Sequence, residues 1–423
     1  MQESDKALYA GVDFGTSGCR LVLINAQKMQ VYSQQVHYSY PDKQSPSLWW
    51  RALSELLNSC PLALKKRLNS IAVDGTSGTL LLTDQQGEPS SITLMYNDAR
   101  AITEARQIAE IAPAESGAQG ASSSLARLMW LLKNYSNTSH SHVLHQADWI
   151  MGKLSGRFGI SDENNSLKLG YDAIKKQWPD WFEQLSIPQA LLPKVYQPAT
   201  RIATIDPYIA KLFDMPLNLA IVTGTTDSIA AFIATGANKI GEAVSSLGST
   251  LAIKFISDMP IFAPRYGVYS HHLGNYWLVG GASNSGGAVL LKYFTAQQLD
   301  AMTPFLNPEQ STKLDYYPLL KTGERFPFAD PKKSAILEPR PDNDIVYFQA
   351  MLEGIASIEA QAYQRLSELG VPKLTTVYSV GGGSQNKAWT QIRKKKLKVS
   401  LLTAKHAQAS YGSALLALEG YKK

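Results

Sequence analysis

The chain alternates short apolar runs, each ending in a small polar cluster, with longer stretches whose apolar residues recur at helical spacing. Residues 8–12 and 20–25 are two such runs on either side of Asp13-Phe14-Gly15-Thr16-Ser17-Gly18, and residues 30–36 are a third. The pattern predicts strand, tight glycine turn, strand. A polar, proline-bearing break at 41–47 leads to a predicted helix at 48–59. Residues 70–74 read as a buried strand ending in Gly75-Thr76-Ser77-Gly78, and 80–83 as a strand running into Asp84-Gln85-Gln86-Gly87. Residues 116–124 are rich in Gly, Ala and Ser and read as a loop. A helix follows at 124–133, with Leu125, Leu128, Met129 and Leu132 on one face.

The second half starts near Ala220, where residues 220–222 form a strand running into Thr223-Gly224-Thr225-Thr226-Asp227-Ser228. An apolar helix at 229–235 ends at Gly236. Ser246-Leu247-Gly248-Ser249-Thr250 followed by Leu251-Ala252-Ile253 repeats the strand–glycine turn–strand pattern. Residues 303–343 hold seven prolines and little periodicity, and read as a long surface excursion. A strong helix begins at Ile345, carries Phe348, Met351, Leu352, Ile355, Ile358 and Ala362 on one face, and stops at Gly370-Val371-Pro372. The strand at 375–380 runs into Gly381-Gly382-Gly383-Ser384, with a helix at 385–397. There is no short tandem repeat, only a two-fold echo between the halves. Strands alternating with helices indicate an α/β chain.

At 423 residues, two or three domains of roughly 100–200 residues each are expected. An apolar content of 44% against 18% charged supports large cores and excludes a disordered chain. The net charge of +6 suits an anionic substrate without calling for nucleic acid. The run Arg393-Lys394-Lys395-Lys396 with Lys398 reads as a solvated helix end. Cys19 and Cys60 alone make neither a disulfide framework nor a zinc site. The polar start lacks the pattern of a signal peptide, and no run reaches the roughly 20 apolar residues that span a bilayer. A reduced, cytoplasmic protein with no membrane or nucleic-acid partner is expected.

The glycine turns carry the candidate chemistry. Glycine lets backbone N–H groups face a phosphate with no side chain between them. Two such turns, each near a carboxylate, outline a phosphotransferase. Asp13 closes an apolar strand, where a carboxylate needs a partner such as a cation. Asp227, at a predicted helix start, reads as an N-cap, as a general base, or as both. Three consecutive glycines at 381–383 are explained by close approach of a ligand. Asn386 and Trp389 follow on the next helix, and Trp389 reads either as core or as a flank for a planar base. Asp74-Gly75-Thr76-Ser77-Gly78 and Tyr96-Asn97-Asp98-Ala99-Arg100 suit a polyol. His140, His142 and His145 have metal-like spacing, but no carboxylate or cysteine completes a site, and a structural or surface role is expected. Neither a Gly-Lys-Ser/Thr phosphate loop nor a His-Arg-Asp kinase signature occurs.

Taken in order, these motifs resemble the FGGY carbohydrate kinases of the actin-like ATPase superfamily, nearly end to end. Asp13-Phe14-Gly15-Thr16-Ser17 resembles their first phosphate loop and Thr225-Thr226-Asp227 their catalytic-base segment. Ser246-Leu247-Gly248-Ser249-Thr250 is similar to the second phosphate loop, and Gly381-Gly382-Gly383-Ser384 to the adenosine loop. Ala409-Ser410-Tyr411-Gly412-Ser413-Ala414-Leu415-Leu416 is similar to their closing segment.

The resemblance implies two actin-like (ribonuclease H-like) domains, each a mixed sheet flanked by helices, with sugar and ATP meeting in an interdomain cleft. The sugar-binding domain is expected at 1–219 and the nucleotide-binding domain at 220–423. Asp13 and Thr16 would organise Mg²⁺ and the transferred phosphate, and Asp227 would be the base. Gly248 and Ser249 would hold the outgoing phosphates; Gly382, Gly383, Asn386 and Trp389 would hold the nucleoside. Asp13, Ser17, Ser77 and Asp227 would line the sugar site. Xylulokinases usually carry a Met-His pair where this chain has Gly75-Thr76-Ser77-Gly78, and the Asp-Gly-Thr-Ser form more closely resembles the compact xylulokinase-like group of plants and photosynthetic bacteria, some of which favour D-ribulose. D-ribulose is therefore expected ahead of D-xylulose, in a monomer or homodimer. A non-catalytic sugar or nucleotide sensor and a plain ATPase are the rivals.

Overall fold

The computed structural model describes residues 7–39, 44–136 and 138–422. The polar lead at 1–6 and part of the break at 41–47 lie outside the described residues. The chain forms two compact units: one runs to Ala234 and takes up the chain again at Gln408, and the other is Thr235–Ala407.

The first unit is built on a six-stranded sheet of β1 (Leu8–Phe14), β2 (Gly18–Asn25), β3 (Gln30–His37), β4 (Leu68–Gly75), β5 (Arg201–Thr204) and β6 (Ala220–Thr226), in the order β3-β2-β1-β4-β6-β5. The three N-terminal strands are antiparallel neighbours, whereas β4 runs parallel to both β1 and β6. Strands β1, β4 and β6 are buried almost throughout, as central parallel strands with both faces covered must be. One face packs on the helices Pro46–Ser59 and Gln146–Ser155 through Trp49, Leu53, Leu56, Ile150 and Leu154. The other is covered by the helix Ala409–Lys422, whose Ala417 carbonyl accepts from Ser70 Oγ at 2.7 Å.

The division therefore falls elsewhere than between residues 219 and 220. Strand β6 pairs with β4 in the middle of the first sheet, and the helix Asp227–Ala234 packs beside the returning helix Ala409–Lys422. A unit assembled from two separated stretches leaves no boundary in the local sequence pattern.

The second unit repeats the plan. Strands β7 (Glu242–Leu247), β8 (Leu251–Ser257), β9 (Tyr269–Leu273), β10 (Tyr276–Ala282), β11 (Thr376–Val380) and β12 (Ser400–Thr403) are ordered β9-β10-β8-β7-β11-β12, with β7, β11 and β12 parallel. The helix Asp344–Glu368 starts where Asn343 accepts from the Ile345 N–H at 2.9 Å, a cap that contributes on the order of 1 kcal/mol. Residues 303–343 are not a surface excursion. Tyr316, Tyr317, Leu319 and Phe326 are buried against the long helix and the sheet. The prolines suppress regular structure without preventing apolar side chains from docking.

Candidate active site

In the first unit the strand ends converge three carboxylates. Asp13 and Asp74 are opposite each other in the parallel register of β1 and β4, and Asp227 begins the helix after β6. A bulge between Val222 and Thr225 brings β6 so close to β4 that a Cβ on Gly224 would lie 1.8 Å from the Val73 carbonyl oxygen. Only glycine permits that approach, which sets the direction in which the chain leaves the sheet toward Asp227.

Burial pushes the Asp13 carboxyl up to about 6; Asp74, as hydrogen-bond donor, and Arg20 oppose the rise, and the charge of Asp227 adds to it. Asp74 is fully buried, and burial and Asp13 hold its carboxyl well above the usual carboxylate range, making it a much weaker acid, although Ser413 Oγ donates to its Oδ2 at 2.5 Å. Asp13 and Asp227 remain partly exposed. Beside Asp13, Thr16 and Ser17 stand exposed on the β1–β2 turn, which is closed by Gly15 N–H donating to the Gly18 carbonyl at 3.0 Å.

Two glutamines not visible as site residues in the sequence tie this turn to the Gly75–Gly78 loop. Gln44 Nε2 donates to the Thr16 carbonyl at 2.7 Å, and Gln146 Nε2 reaches Gln44 Oε1 at 3.4 Å. Gln146 Oε1 accepts from the Thr76 N–H and hydroxyl, both at 2.9 Å. The loop thus leaves Ser77 partly exposed while Thr76 is committed inward. Of the second polar cluster, Asp98 is bound by Arg100 at 2.8 Å, and the Tyr96 and Asp98 carbonyls accept from the buried Arg127.

In the second unit the parallel register of β7 and β11 sets two loops side by side. Gly248, Ser249 and Thr250 turn the chain between β7 and β8, braced by Gly287 N–H to the Gly248 carbonyl at 2.8 Å. The Gly381–Ser384 turn leaves β11 beside it. Gly381 has φ 85°, and a Cβ there would meet the Leu247 carbonyl at 2.8 Å. Asn386 caps the helix Lys387–Leu397, accepting from the Trp389 N–H at 2.9 Å. Trp389 is core: it is 3% exposed, its Nε1 donates to the Leu352 carbonyl, and its ring lies beneath Gly383. It supports the loop from below and does not flank an open site.

Beneath both loops runs a buried ion pair. Arg393 donates to Glu359 at 2.6 and 2.7 Å and to Ser379 Oγ at 2.8 Å, while Glu359 accepts from Ser245 Oγ at 2.5 Å. Ser245 and Ser379 lie on β7 and β11 just before the two turns, so one pair fixes both strands. Arg393 was expected in a solvated basic run; it is instead fully buried, because the helix turns this position inward onto Glu359.

The three histidines do not converge. His140 bonds Ser90 and the Tyr135 carbonyl, His142 stacks on Phe158, and His145 is buried against Asp148 and Ser124. Among the described residues no group of three His, Cys, Asp or Glu could hold a metal ion by itself, and no helix is long and apolar enough to cross a membrane.

The model for the N-terminal domain of the FGGY family of carbohydrate kinases matches residues 8–234, and that for the C-terminal domain matches residues 243–420. The chain is 23% identical to the xylulose kinase of Escherichia coli K12, over 91% of this chain and 84% of the relative. A solved xylulose kinase from Brucella ovis superposes with a TM-score of 0.86 at 22% identity, covering 98% of this chain and 90% of that one. A gluconate kinase from Lactobacillus acidophilus superposes with a TM-score of 0.84 at 20% identity, covering 98% and 89%. The fold shared with these structures is the actin-like, ribonuclease H-like arrangement in each unit.

Proposed function

We propose that this chain, which belongs to the FGGY family of carbohydrate kinases, transfers the γ-phosphoryl group of ATP to a pentulose, converting D-ribulose to D-ribulose 5-phosphate. The observation that carries the reading is the partly exposed Asp227 carboxylate near Asp13, each at the end of a buried strand, with the exposed Thr16 and Ser17 on the turn that follows Asp13.

Asp227 takes the proton of the attacking sugar hydroxyl. That oxygen bonds the γ-phosphorus, and the bond to the β–γ bridging oxygen breaks with its electron pair leaving on ADP. The protein's part is positioning and electrostatics along this line. Asp13 fits a Mg²⁺ role. It has one buried oxygen and an otherwise partly exposed carboxyl, and Mg²⁺ is usually held by one or two carboxylates together with phosphate and water oxygens. When bound, Mg²⁺ neutralises charge on the phosphates. Thr16 orients the transferred group, and Ser17 and Ser77 hold sugar hydroxyls. Backbone N–H groups at Gly248 and Ser249 hold the outgoing phosphates. Gly382 and Gly383 leave room for the nucleoside, with Asn386 and Trp389 fixing the shape of that loop.

The likeness of Asp74-Gly75-Thr76-Ser77 to the compact plant and photosynthetic-bacterial group, some of whose members favour D-ribulose, supports D-ribulose. The relatives named xylulose kinases support D-xylulose as the second reading. ATP consumption with Mg²⁺ across D-ribulose, D-xylulose, L-ribulose, ribitol and glycerol tests both. Strongest stimulation by D-ribulose, with its 5-phosphate as product, is expected. Stimulation by D-xylulose alone replaces the acceptor, and no stimulation by any sugar overturns the kinase reading in favour of an ATPase or a sensor.

A further inference from the structure

One cation beside the Gly75–Gly78 loop has no role in the mechanism above. Lys168 sits in the short turn Leu167–Leu169, with buried residues on either side in sequence. Its stem passes Gly78, where a Cβ would lie 3.6 Å from Lys168 Cδ, and Nζ donates to the Ser77 carbonyl at 3.4 Å. That single bond is long, and an ammonium has three donors to place.

Among the described residues no other group accepts a hydrogen bond from Nζ. Burial and the neighbouring Arg127 charge disfavour the ammonium, while the charge of Asp227 favours it. Arg127, fully buried, places its guanidinium on the Gly78, Tyr96 and Asp98 carbonyls. The Gly78, Tyr96 and Asp98 carbonyls thus each already accept one bond from Arg127, and the Asp98 carboxylate is held by Arg100. Spare ammonium donors lie beside Ser77 and within the electrostatic reach of Asp227.

We propose that Lys168 binds the phosphoryl acceptor, donating a hydrogen bond to the carbonyl oxygen of a ketose, so that the site prefers a keto-sugar to the corresponding polyol. A carbonyl oxygen takes the spare donors and brings no proton of its own. A hydroxyl in the same place accepts the same bond but must also place its own proton, for which the Gly78, Tyr96 and Asp98 carbonyls offer only a second, shared lone pair. The inference rests on the sugar-kinase reading and names the feature of the acceptor that the site selects.

The test is the dissociation constant of D-ribulose, D-xylulose and ribitol, measured without nucleotide for wild type, K168M and K168R, together with kcat/KM for each acceptor. K168M is expected to weaken the ketose bound by wild type tenfold or more, as loss of a charged hydrogen bond does. Ribitol is expected to change less than threefold, K168R to recover part of the ketose affinity, and the KM for ATP to stay put. Equal losses for ketose and polyol, or no loss for either, overturn the proposal. Absence of transfer to any acceptor by wild type overturns the kinase reading instead, and a Lys168-dependent ketose affinity would survive it.

Discussion

Asp13 and Asp74 face each other across adjacent parallel strands, each with a buried Oδ1 that receives no donor from any other described residue. Two carboxylates so placed cannot both carry charge, and they share a proton. Asp74 is the more deeply buried and the more strongly raised, so the proton rests there and Asp13 is the ionised member at neutral pH. Asp74→Asn then exchanges one neutral group for another and is expected to keep turnover within about threefold. Asp13→Asn removes the working charge and is expected to cost about a hundredfold or more in kcat. Equal losses in the two variants would show that the proton is placed wrongly.

In the loop proposed to hold the nucleoside, neighbouring glycines differ in the space around them. A Cβ at Gly382 meets nothing within 4 Å, whereas one at Gly383 would lie 2.3 Å from Trp389 Cζ3. Gly382→Ala is expected to raise the KM for ATP with little change in melting temperature. Gly383→Ala is expected to destabilise by about 1–3 kcal/mol, as overpacking does. Thermal melts with and without ATP read both effects.

Glu359 and Arg393 brace the strands that lead into the Gly248–Thr250 and Gly381–Ser384 loops through Ser245 and Ser379. Removing one partner of a buried pair leaves the other uncompensated, so Glu359→Gln is expected to cost about 3–5 kcal/mol in denaturant unfolding. The double variant E359L/R393L is expected to lose less than the sum of its single changes. Strict additivity would mean that the two groups do not act as a pair.

Asp162 gives stability a pH dependence of unusual sign. Burial first and Asp148 second push its carboxyl up to about 7, although its bonds from the Asn164 and Asn165 N–H groups and from Asn165 Nδ2 oppose the rise. Between pH ~4 and ~7 the folded state holds the proton that the unfolded state has lost, so stability falls as pH rises. The full cost, up to about 4 kcal/mol, is present above the folded value. The stability of Asp162→Asn relative to wild type should therefore climb across this window; a flat difference would remove Asp162 as its source.

The local patterns were legible where the chemistry is local. Both strand–glycine turn–strand segments, the helix start at Asp227 and the glycine loop after β11 stand where the apolar runs indicated. What could not be read depends on strands brought together from distant parts of the chain. Asp74 looked like one member of a polyol loop because its neighbour Asp13 and its donor Ser413 are remote in sequence. Arg393 looked solvated because three lysines follow it, yet the helix turns that one position onto Glu359. Gln44, Gln146 and Lys168 carry no motif, and only their contacts mark them.

The central claim is that Asp227 takes a sugar proton during phosphoryl transfer. Its most direct test is single-turnover formation of the sugar phosphate by wild type and Asp227→Asn, with ATP and sugar affinities measured in parallel. The amide can still accept from the Ser228 N–H, which now bonds the carboxylate at 2.6 Å, so that local bond is kept. A fall of about a hundredfold or more in the transfer rate, with both affinities within about threefold of wild type, is expected. Transfer at near the wild-type rate would contradict the assignment.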